Sequence, residues 1–285
     1  MNPAGIVITG CNGQLGRALR ARYPGAVAVD LGELDITDVG AVEGFDWSGI
    51  GLVLNAAGYT DVNGAETAAG RAIAWKVNAL AVANLARVAL ARDITLVHVS
   101  TDYVFDGTRA PYAEDAEFSP LSVYGASKAA GDIAAGFVDR RYLLRTSWVI
   151  GDGKNFVRTM LDLARRGINP AVVSDQIGRP TFTAELVRAI DHLLATRAAY
   201  GTYNVSNGGP PVSWADFTRE IYLQAGLPNT VADITTAAYH AGASGVAPRP
   251  LRSSLALAKL EAAGFEPRDW RQALGDYLRQ QQEAR

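Results

Sequence analysis

The chain has 285 residues, of which 48% are hydrophobic and 20% charged, and its formal net charge is −2. That is enough apolar material for one large α/β domain, or a domain with a smaller one attached, and it excludes wholesale disorder. The near-neutral balance gives no electrostatic reason to expect nucleic acid or an acidic membrane as a partner. A single cysteine, Cys11, rules out an internal disulfide and fits a reducing, cytoplasmic setting. The N-terminal stretch lacks the basic-then-apolar pattern of a secretory signal, and no apolar run is read as reaching the roughly 18–20 residues of a bilayer span.

Short β-rich runs alternate with longer alanine-rich ones. GIVITG (5–10) predicts a first strand and 14–22 a first helix. GAVAVD (25–30) and GLVLNA (51–56) predict two further strands, and 64–91 a long helical stretch. ITLVHVS (94–100), a helix over 122–137 and RYLLRTS (141–147) complete the first half. The strand runs are apolar on both faces, as in parallel strands sandwiched between helices, and helices of this length suit right-handed crossovers. The expected fold is α/β, a doubly wound, Rossmann-like parallel sheet. Beyond about residue 150 the rhythm loosens. Helices are expected over 154–167 with Gly167 as stop, after Pro180 with Thr183 as cap, and over 212–226 between Ser213 and Gly226. The Gly-, Pro- and Ser-rich stretch 240–254 reads as a loop long enough to be functional. The expected organisation is a dinucleotide-binding domain over 1–150 and a smaller, mainly substrate-binding region over 151–285, some segments of which return to the first domain.

The first strand runs into TGCNGQLG, which puts Gly10, Gly13 and Gly16 at the mouth of a helix. Gly10 permits a tight turn, Gly13 a close approach of backbone to a pyrophosphate, and Gly16 close packing of helix on strand. The helix's free N–H groups would then face the phosphates. The spacing differs from the GxGxxG of many dehydrogenases, and a glycine turn without a ligand would leave the same pattern. Asp30 ends the second strand, where an acid binds adenosine ribose hydroxyls and disfavours a 2′-phosphate. Arg17 and Arg20 nearby keep NADPH open beside NADH. Asp35 and Ile36 are candidates for the adenine edge. Ala56, Ala57 and Gly58 end the third strand with residues small enough for a nucleotide to lie against, or for close strand–helix packing alone.

SVYGASK (122–128) places Tyr124 and Lys128 four residues apart, hence on one face of a helix. A free tyrosine holds its proton too tightly for acid–base work at neutral pH, and a nearby ammonium is expected to lower its pKa. Such pairs are common on solvated helices. This one gains weight from VSTDYVF, which puts Ser100 and Thr101 at the carboxyl end of the fourth strand, where open α/β sheets bind ligands. Hydroxyl, tyrosine and lysine behind a dinucleotide loop form a carbonyl-reduction constellation. His98 alternates within a strand and reads as structural. His192 and His240 are isolated, and no G-x-S-x-G elbow supports a serine hydrolase.

With TGCNGQLG, NAAGYTDVNGAE, VHVSTDYVFDG, YGASK, LRTSWV, KNFVRTM, VVSDQIGRPT and RPLRSS in that order, the chain resembles the extended short-chain dehydrogenases/reductases almost end to end. STDYVFDG and DQIGRPT mark a branch that works on nucleotide-linked sugars. The resemblance implies NAD(P)H-dependent reduction of the C4 ketone of a dTDP-linked 4-keto-6-deoxysugar. By matching position it implies Thr101, Tyr124 and Lys128 as the catalytic residues, with Tyr124 the proton donor and Lys128 on the nicotinamide ribose. Gly13, Gln14, Leu15, Asp30, Asp35, Ile36, Ala56, Ala57 and Gly58 match cofactor positions. Thr101, Asp102, Tyr103 and Trp148 match sugar-pocket positions, although Asp102 could equally close a turn and Trp148 fill core.

Asn63 departs from a commonly acidic position, Arg179 from a small one and Arg252 from an uncharged one. Arg179, Arg249 and Arg252 are candidates to clamp a substrate diphosphate, or are solvated loop arginines. Some relatives hold Mg²⁺ at a dimer contact built from glutamates, and Glu185 is a match, but no acidic cluster surrounds it and no metal is assigned. The chain is expected to be a monomer or homodimer. The resemblance also extends to ketoreductases of other deoxysugars and to a non-catalytic regulatory subunit of the same fold.

Overall fold

The structure is a computed structural model and describes residues 5–283. In chain order the first half comprises β1 (Ile6–Thr9), α1 (Gln14–Arg22), β2 (Val27–Val29), α2 (Val39–Gly44), β3 (Leu52–Asn55), α3 (Ala68–Trp75), α4 (Ala81–Ala91), β4 (Thr95–Thr101), α5 (Val123–Gly136) and β5 (Arg141–Thr146). The second half comprises β6 (Val149–Ile150), α6 (Phe156–Arg165), β7 (Ala171–Val173), β8 (Ile177–Gly178), β9 (Thr181–Phe182), α7 (Thr183–Thr196), β10 (Gly201–Asn204), β11 (Val212–Ser213), α8 (Trp214–Gln224), β12 (Ala232–Ile234), α9 (Thr236–Tyr239), α10 (Ala258–Ala262) and α11 (Trp270–Glu283).

Six strands form one parallel sheet in the order β2-β1-β3-β4-β5-β10. Their apolar runs feed two layers. Ile6 and Ile8 pack with Leu15 and Leu19 of α1 and Leu186 and Ile190 of α7. Val7, Val53, Leu96 and Leu143 pack with Val82 and Leu85 of α4 and Ala135 of α5. Alternation of side chains across each strand sends neighbours to opposite faces, so a strand apolar throughout needs helices on both sides. Three two-stranded ladders, β11-β8, β12-β7 and β6-β9, lie outside the sheet, and a separate core gathers Val157, Leu161, Phe217, Ile221, Trp270 and Leu274.

The five predicted strands and the early helices fall where the sequence places them. α5 begins at Ser122, whose Oγ accepts the Gly125 N–H at 3.1 Å, and α8 at Ser213, whose Oγ accepts that of Asp216 at 3.0 Å. Thr183 is not a cap. It is the first residue of α7, behind Phe182, which offers no capping side chain. The sixth strand, β10, escapes the sequence reading because Gly-Thr-Tyr-Asn is neither an apolar run nor a clean alternation. α3 and α4 are joined by a π turn, Lys76–Leu80, that makes one helix over Ala68–Ala91. This corrects the expectation on apolar length: among the described residues this one helix is long and apolar enough to cross a membrane by length and composition. Half of its most apolar window is buried within the fold, because an alanine-rich helix covering a sheet needs a wide apolar face. The π turn carries Asn78 inward, where it accepts the Tyr59 N–H (2.8 Å) and donates to the Tyr59 carbonyl (3.0 Å) and to Ser127 (3.0 Å). Such bulges recur at functional sites.

Candidate active site

The sheet's order reverses between β1 and β3, and ligands of open α/β sheets bind outside the carboxyl ends of the strands at such a point. Gly10 has φ +65°, and a Cβ there would stand 2.5 Å from the Ala57 Cα. Only glycine lets the ends of β1 and β3 approach so closely. A Cβ on Gly16 would lie 2.1 Å from the Gly10 carbonyl, which is the helix-on-strand packing expected of it. Gly13 occupies the N-cap of α1 with no side chain to satisfy the first N–H groups, leaving them to an anion.

A cleft of about 280 Å³ opens here, and Gly10, Gly13, Asp30, Asp35, Ile36, Ala56, Ala57 and Gly58 all line it. Thr9, Leu31, Leu34, Thr37 and Val77 join them without having been singled out in the sequence. The Asp30 carboxylate is fixed at its edge by the N–H groups of Asn12 and Leu31, both at 2.9 Å. The apposed glycine and alanine backbone, the uncapped helix start and the oriented acid together fit a nicotinamide dinucleotide. Gln14 and Leu15 open α1, so their backbone N–H groups are among those left to an anion, while their side chains turn elsewhere: the Gln14 Oε1 accepts the Gly151 N–H at 2.8 Å and Leu15 is buried in the core. Arg17 is bound to the carbonyls of Asn12 and Asp152, while Arg20 reaches only the Asn12 Oδ1 at 3.4 Å.

At the end of β4 the Thr101 hydroxyl lies beside the Tyr124 phenol, donates to Asp102 Oδ1 (3.1 Å) and accepts the Tyr103 N–H (3.2 Å). The start of α5 presses on the Asp102–Val104 turn so closely that a Cβ on Gly125 would lie 2.2 Å from the Tyr103 carbonyl. That contact brings Tyr124 to Thr101. Tyr124 and Lys128 are both buried, and Lys128 Nζ donates to the Val99 carbonyl at 2.7 Å. The Tyr103 ring meets Tyr124 edge-on at 5.6 Å.

Electrostatics in this pocket depart from the sequence expectation. Burial drives the Tyr124 phenol well above its ordinary range, opposed by the nearby Thr101 hydroxyl and reinforced by Asp102, Tyr103 and Asp132. Burial likewise pushes Tyr103 up to about 12, against the pull of Arg249. Both phenols therefore hold their protons at neutral pH, and electrostatics alone do not favour Tyr124 as the acid. What sets Tyr124 apart is geometry, the hydroxyl of Thr101 on one side and Lys128 one helical turn on. Burial lowers Lys128 to about 8. Burial also raises Asp102 to about 7; Ser253 and Thr101 favour its charged form, yet Oδ2 has no partner in hydrogen-bonding geometry.

Trp148 sits just past β5 in the left-handed region, φ +47°, stacked on Trp214 with ring centroids 3.6 Å apart. A Cβ on Gly178 would come within 2.9 Å of its indole. A tryptophan at positive φ persists only where its surroundings hold it, and such strain gathers at ligand sites.

The three arginines do not act as one clamp. Arg179 spends its guanidinium on the carbonyls of Gly209 (2.9 Å) and Leu255 (2.7 Å), lashing loops together. Arg252 is exposed beside Ile177. Arg249 alone reaches the pocket, next to Tyr103, with Nη2 on the Asn63 Oδ1 at 3.0 Å. The Glu185 carboxylate is fully buried and taken up by Arg188 (2.8 and 2.7 Å) and by the N–H and Nε of Arg268 (2.9 and 3.0 Å). Arginines in those positions do not fit a cation site, and no cluster of three metal-ligating side chains occurs among the described residues.

The sequence reading missed a buried chain beneath the cleft. Thr9 donates to Asn55 Oδ1 (2.7 Å), which also accepts the Ala57 N–H (3.2 Å), and Asn55 Nδ2 donates to His98 Nδ1 (3.0 Å). This chain fixes the Ala56–Ala57 strip. Its signal was a polar residue closing an otherwise apolar strand, Thr9 in β1 and Asn55 in β3. Ser253, beside Asp102, arrives from the distant loop and had no local signal.

Comparison with known proteins agrees with this architecture. The family model described as "RmlD substrate binding domain" matches residues 4–283. A dTDP-4-dehydrorhamnose reductase of Aggregatibacter actinomycetemcomitans is 38% identical, over 95% of this chain and 97% of its own. The crystal structure of a dTDP-4-dehydrorhamnose reductase from Clostridium acetobutylicum is 35% identical and superposes with a TM-score of 0.90, over 97% of this chain and 99% of that one. That of Bacillus anthracis, in complex with NADP, is 34% identical with a TM-score of 0.88, over 96% and 97%. The glycine cradle, the Thr–Tyr–Lys cluster and the full-length match lead to one conclusion: the chain belongs to the RmlD substrate-binding-domain family of extended short-chain dehydrogenases/reductases.

Proposed function

We propose that the chain is an oxidoreductase that reduces the C4 ketone of dTDP-4-dehydro-L-rhamnose to give dTDP-L-rhamnose, with NADPH or NADH as reductant. The observation that carries this reading is the meeting of Thr101, Tyr124 and Lys128 at the carboxyl ends of the strands, beside the glycine-walled cleft. Two relatives are named for the same reaction.

A bound reduced nicotinamide supplies the hydride to C4. Tyr124 gives its phenolic proton to the developing O4 alkoxide; burial keeps that proton in place until it is needed. Thr101, whose hydroxyl lies beside the same phenol, stabilises the phenolate left behind by swinging its O–H from Asp102 to it. The Lys128 ammonium is steadied on the Val99 carbonyl, and its remaining N–H groups would hold the nicotinamide ribose. Asp102, Tyr103 and Trp148 shape the sugar pocket, and Arg249, whose polar partner Asn63 leaves its charge uncompensated, faces the diphosphate. Residues 151–285 bind the sugar nucleotide, apart from α7 and β10, which complete the first domain. Asp30 favours NADH, while Arg20 leaves room for NADPH. The lone, buried Cys11 fits a cytoplasmic enzyme.

The test is incubation with dTDP-4-dehydrorhamnose and either cofactor, following loss of the reduced nicotinamide's absorbance and assigning the product's C4 configuration by NMR. No oxidation of either cofactor would overturn the reading. The opposite C4 configuration would move the chain to a ketoreductase of another deoxysugar. Lys128→Ala is expected to weaken cofactor binding about 10- to 100-fold, the loss of one or two charge-assisted hydrogen bonds, as read by calorimetry. Equal affinity in mutant and parent would contradict the ribose role.

A further inference from the structure

Helix α5 presents Tyr124, Lys128 and Asp132 at intervals of four residues, so the three share one face, and all are buried. Asp132 takes no part in the steps above. Its Oδ2 accepts Arg145 Nε at 3.0 Å, in an ion pair whose side chains are 1% and 5% exposed. Arg145 is itself held fast. Its Nη1 donates to the Glu114 carbonyl at 2.8 Å, and its guanidinium lies over the rings of Phe105 and Phe118 at 5.3 and 5.0 Å. Burial raises the Asp132 carboxyl, opposed by Arg145, Ser100 and Lys128, and its buried Oδ1 has no partner in hydrogen-bonding geometry, so Arg145 does not engage both oxygens. A buried ion pair is weak evidence for stability, since apolar residues of the same volume often do as well. Its place under the lysine asks for another reason.

We infer that Asp132, clamped by Arg145, is a positioning residue for the proposed reaction: its carboxylate is the counter-ion that lets the buried Lys128 stand as an ammonium and so bind the cofactor's ribose. This rests on the role of Lys128 given under Proposed function. The groups that face Lys128 leave Asp132 as its electrostatic support. From β4, His98 is held neutral by burial and by Lys128 itself, and Val99 contributes only a carbonyl. From β5, Arg145 is a cation. On α5, Tyr124 keeps its proton, and Asp102, at the end of β4, acts on Tyr124. Burial already draws Lys128 down to about 8, and Asp132 is the group that opposes it. Without Asp132, burial would act on Lys128 unopposed.

The chain has only four lysines, Lys76, Lys128, Lys154 and Lys259, so lysine Cε carbon NMR of the full-length protein resolves the titration of Lys128, assigned by its loss in Lys128→Ala. Without any ligand, Asp132→Asn is expected to lower the Lys128 midpoint by about one pH unit or more, whereas Asp132→Glu, which disturbs packing but keeps the charge, stays within about 0.3 of the parent. In the reductase assay Asp132→Asn should raise KM for the cofactor about tenfold at about pH 8 and less than about threefold at about pH 6. If Asp132→Asn unfolds because Arg145 is left unpaired, the double variant Asp132→Asn/Arg145→Gln removes both charges and should still titrate below the parent. An unmoved midpoint in Asp132→Asn, or in the double variant where the single one does not fold, overturns the inference. So do equal shifts in the Asn and Glu variants, which would mean packing alone. A shifted midpoint in a chain that reduces no ketone would instead count against the proposed function and leave the counter-ion role standing.

Discussion

Tyr124→Phe is expected to lower kcat by about 10³-fold while cofactor affinity stays within about threefold of the parent. The substitution removes one oxygen and its proton and leaves the ring edge-on to Tyr103. A group that acts only as the proton leaves is worth roughly 10²–10⁴ in rate, and its loss should fall on kcat rather than on binding. Tyr103→Phe is the needed contrast. Burial holds both Tyr103 and Tyr124 above their ordinary range, so a purely electrostatic argument does not choose between them. The proposed acid is Tyr124, because the Thr101 hydroxyl lies beside that phenol and Lys128 follows it by one turn. Tyr103→Phe should therefore keep kcat within about tenfold, its loss appearing mainly in KM for the sugar nucleotide. Single-turnover measurements with saturating cofactor separate the two. A larger loss of kcat in Tyr103→Phe than in Tyr124→Phe would exchange the two roles.

What could be read in the sequence follows from how local each signal was. Four-residue runs such as IVIT and LVLN announce buried parallel strands by composition, and Tyr124 and Lys128 share a helix face by spacing alone. Gly10 was legible as the glycine of a tight turn, whereas its contact with Ala57 across the sheet was not. Other parts depend on packing between distant segments. Arg179 looked like a phosphate ligand, but its guanidinium is drawn to carbonyls of loops that only the fold brings near. Lys128 was expected to lower Tyr124; its ammonium instead meets the Val99 carbonyl, and burial dominates both groups. The π turn at Lys76–Leu80 inserts a residue that no pattern in an alanine-rich helix reveals, yet it is what points Asn78 at Tyr59 and Ser127. Strand β10 was missed because its pairing with β5, not its composition, makes it a strand.

Asp102→Asn is expected to stabilise the protein more at pH 8 than at pH 4.5, by about 2 kcal/mol in the difference, with a ceiling near 4 kcal/mol from a shift of about three pKa units. The carboxyl is fully buried, its ordinary value of 3.8 is raised to about 7, and its Oδ2 has no hydrogen-bond partner. The sign follows from linkage. A folded value above the unfolded one means that the native state holds the proton more tightly. Below about pH 4 the carboxyl is protonated in both states and costs nothing extra. As pH rises from the unfolded value to the folded one, the unfolded chain ionises freely while the native state cannot, and stability falls until it levels off above about 7. Asparagine does not titrate, so its advantage grows over that window and then stays constant. Any fixed penalty for burying the amide is the same at both pH values and cancels in the comparison. Urea unfolding of parent and variant at the two pH values measures the effect, and an equal gap at both would show that Asp102 is not held protonated. The same variant should lose turnover, because Asp102 Oδ1 receives the Thr101 hydroxyl and so aims its oxygen at Tyr124. A costly buried carboxyl retained against stability is what a substrate-facing group looks like, and gain of stability with loss of rate in one substitution would locate the sugar pocket at Asp102.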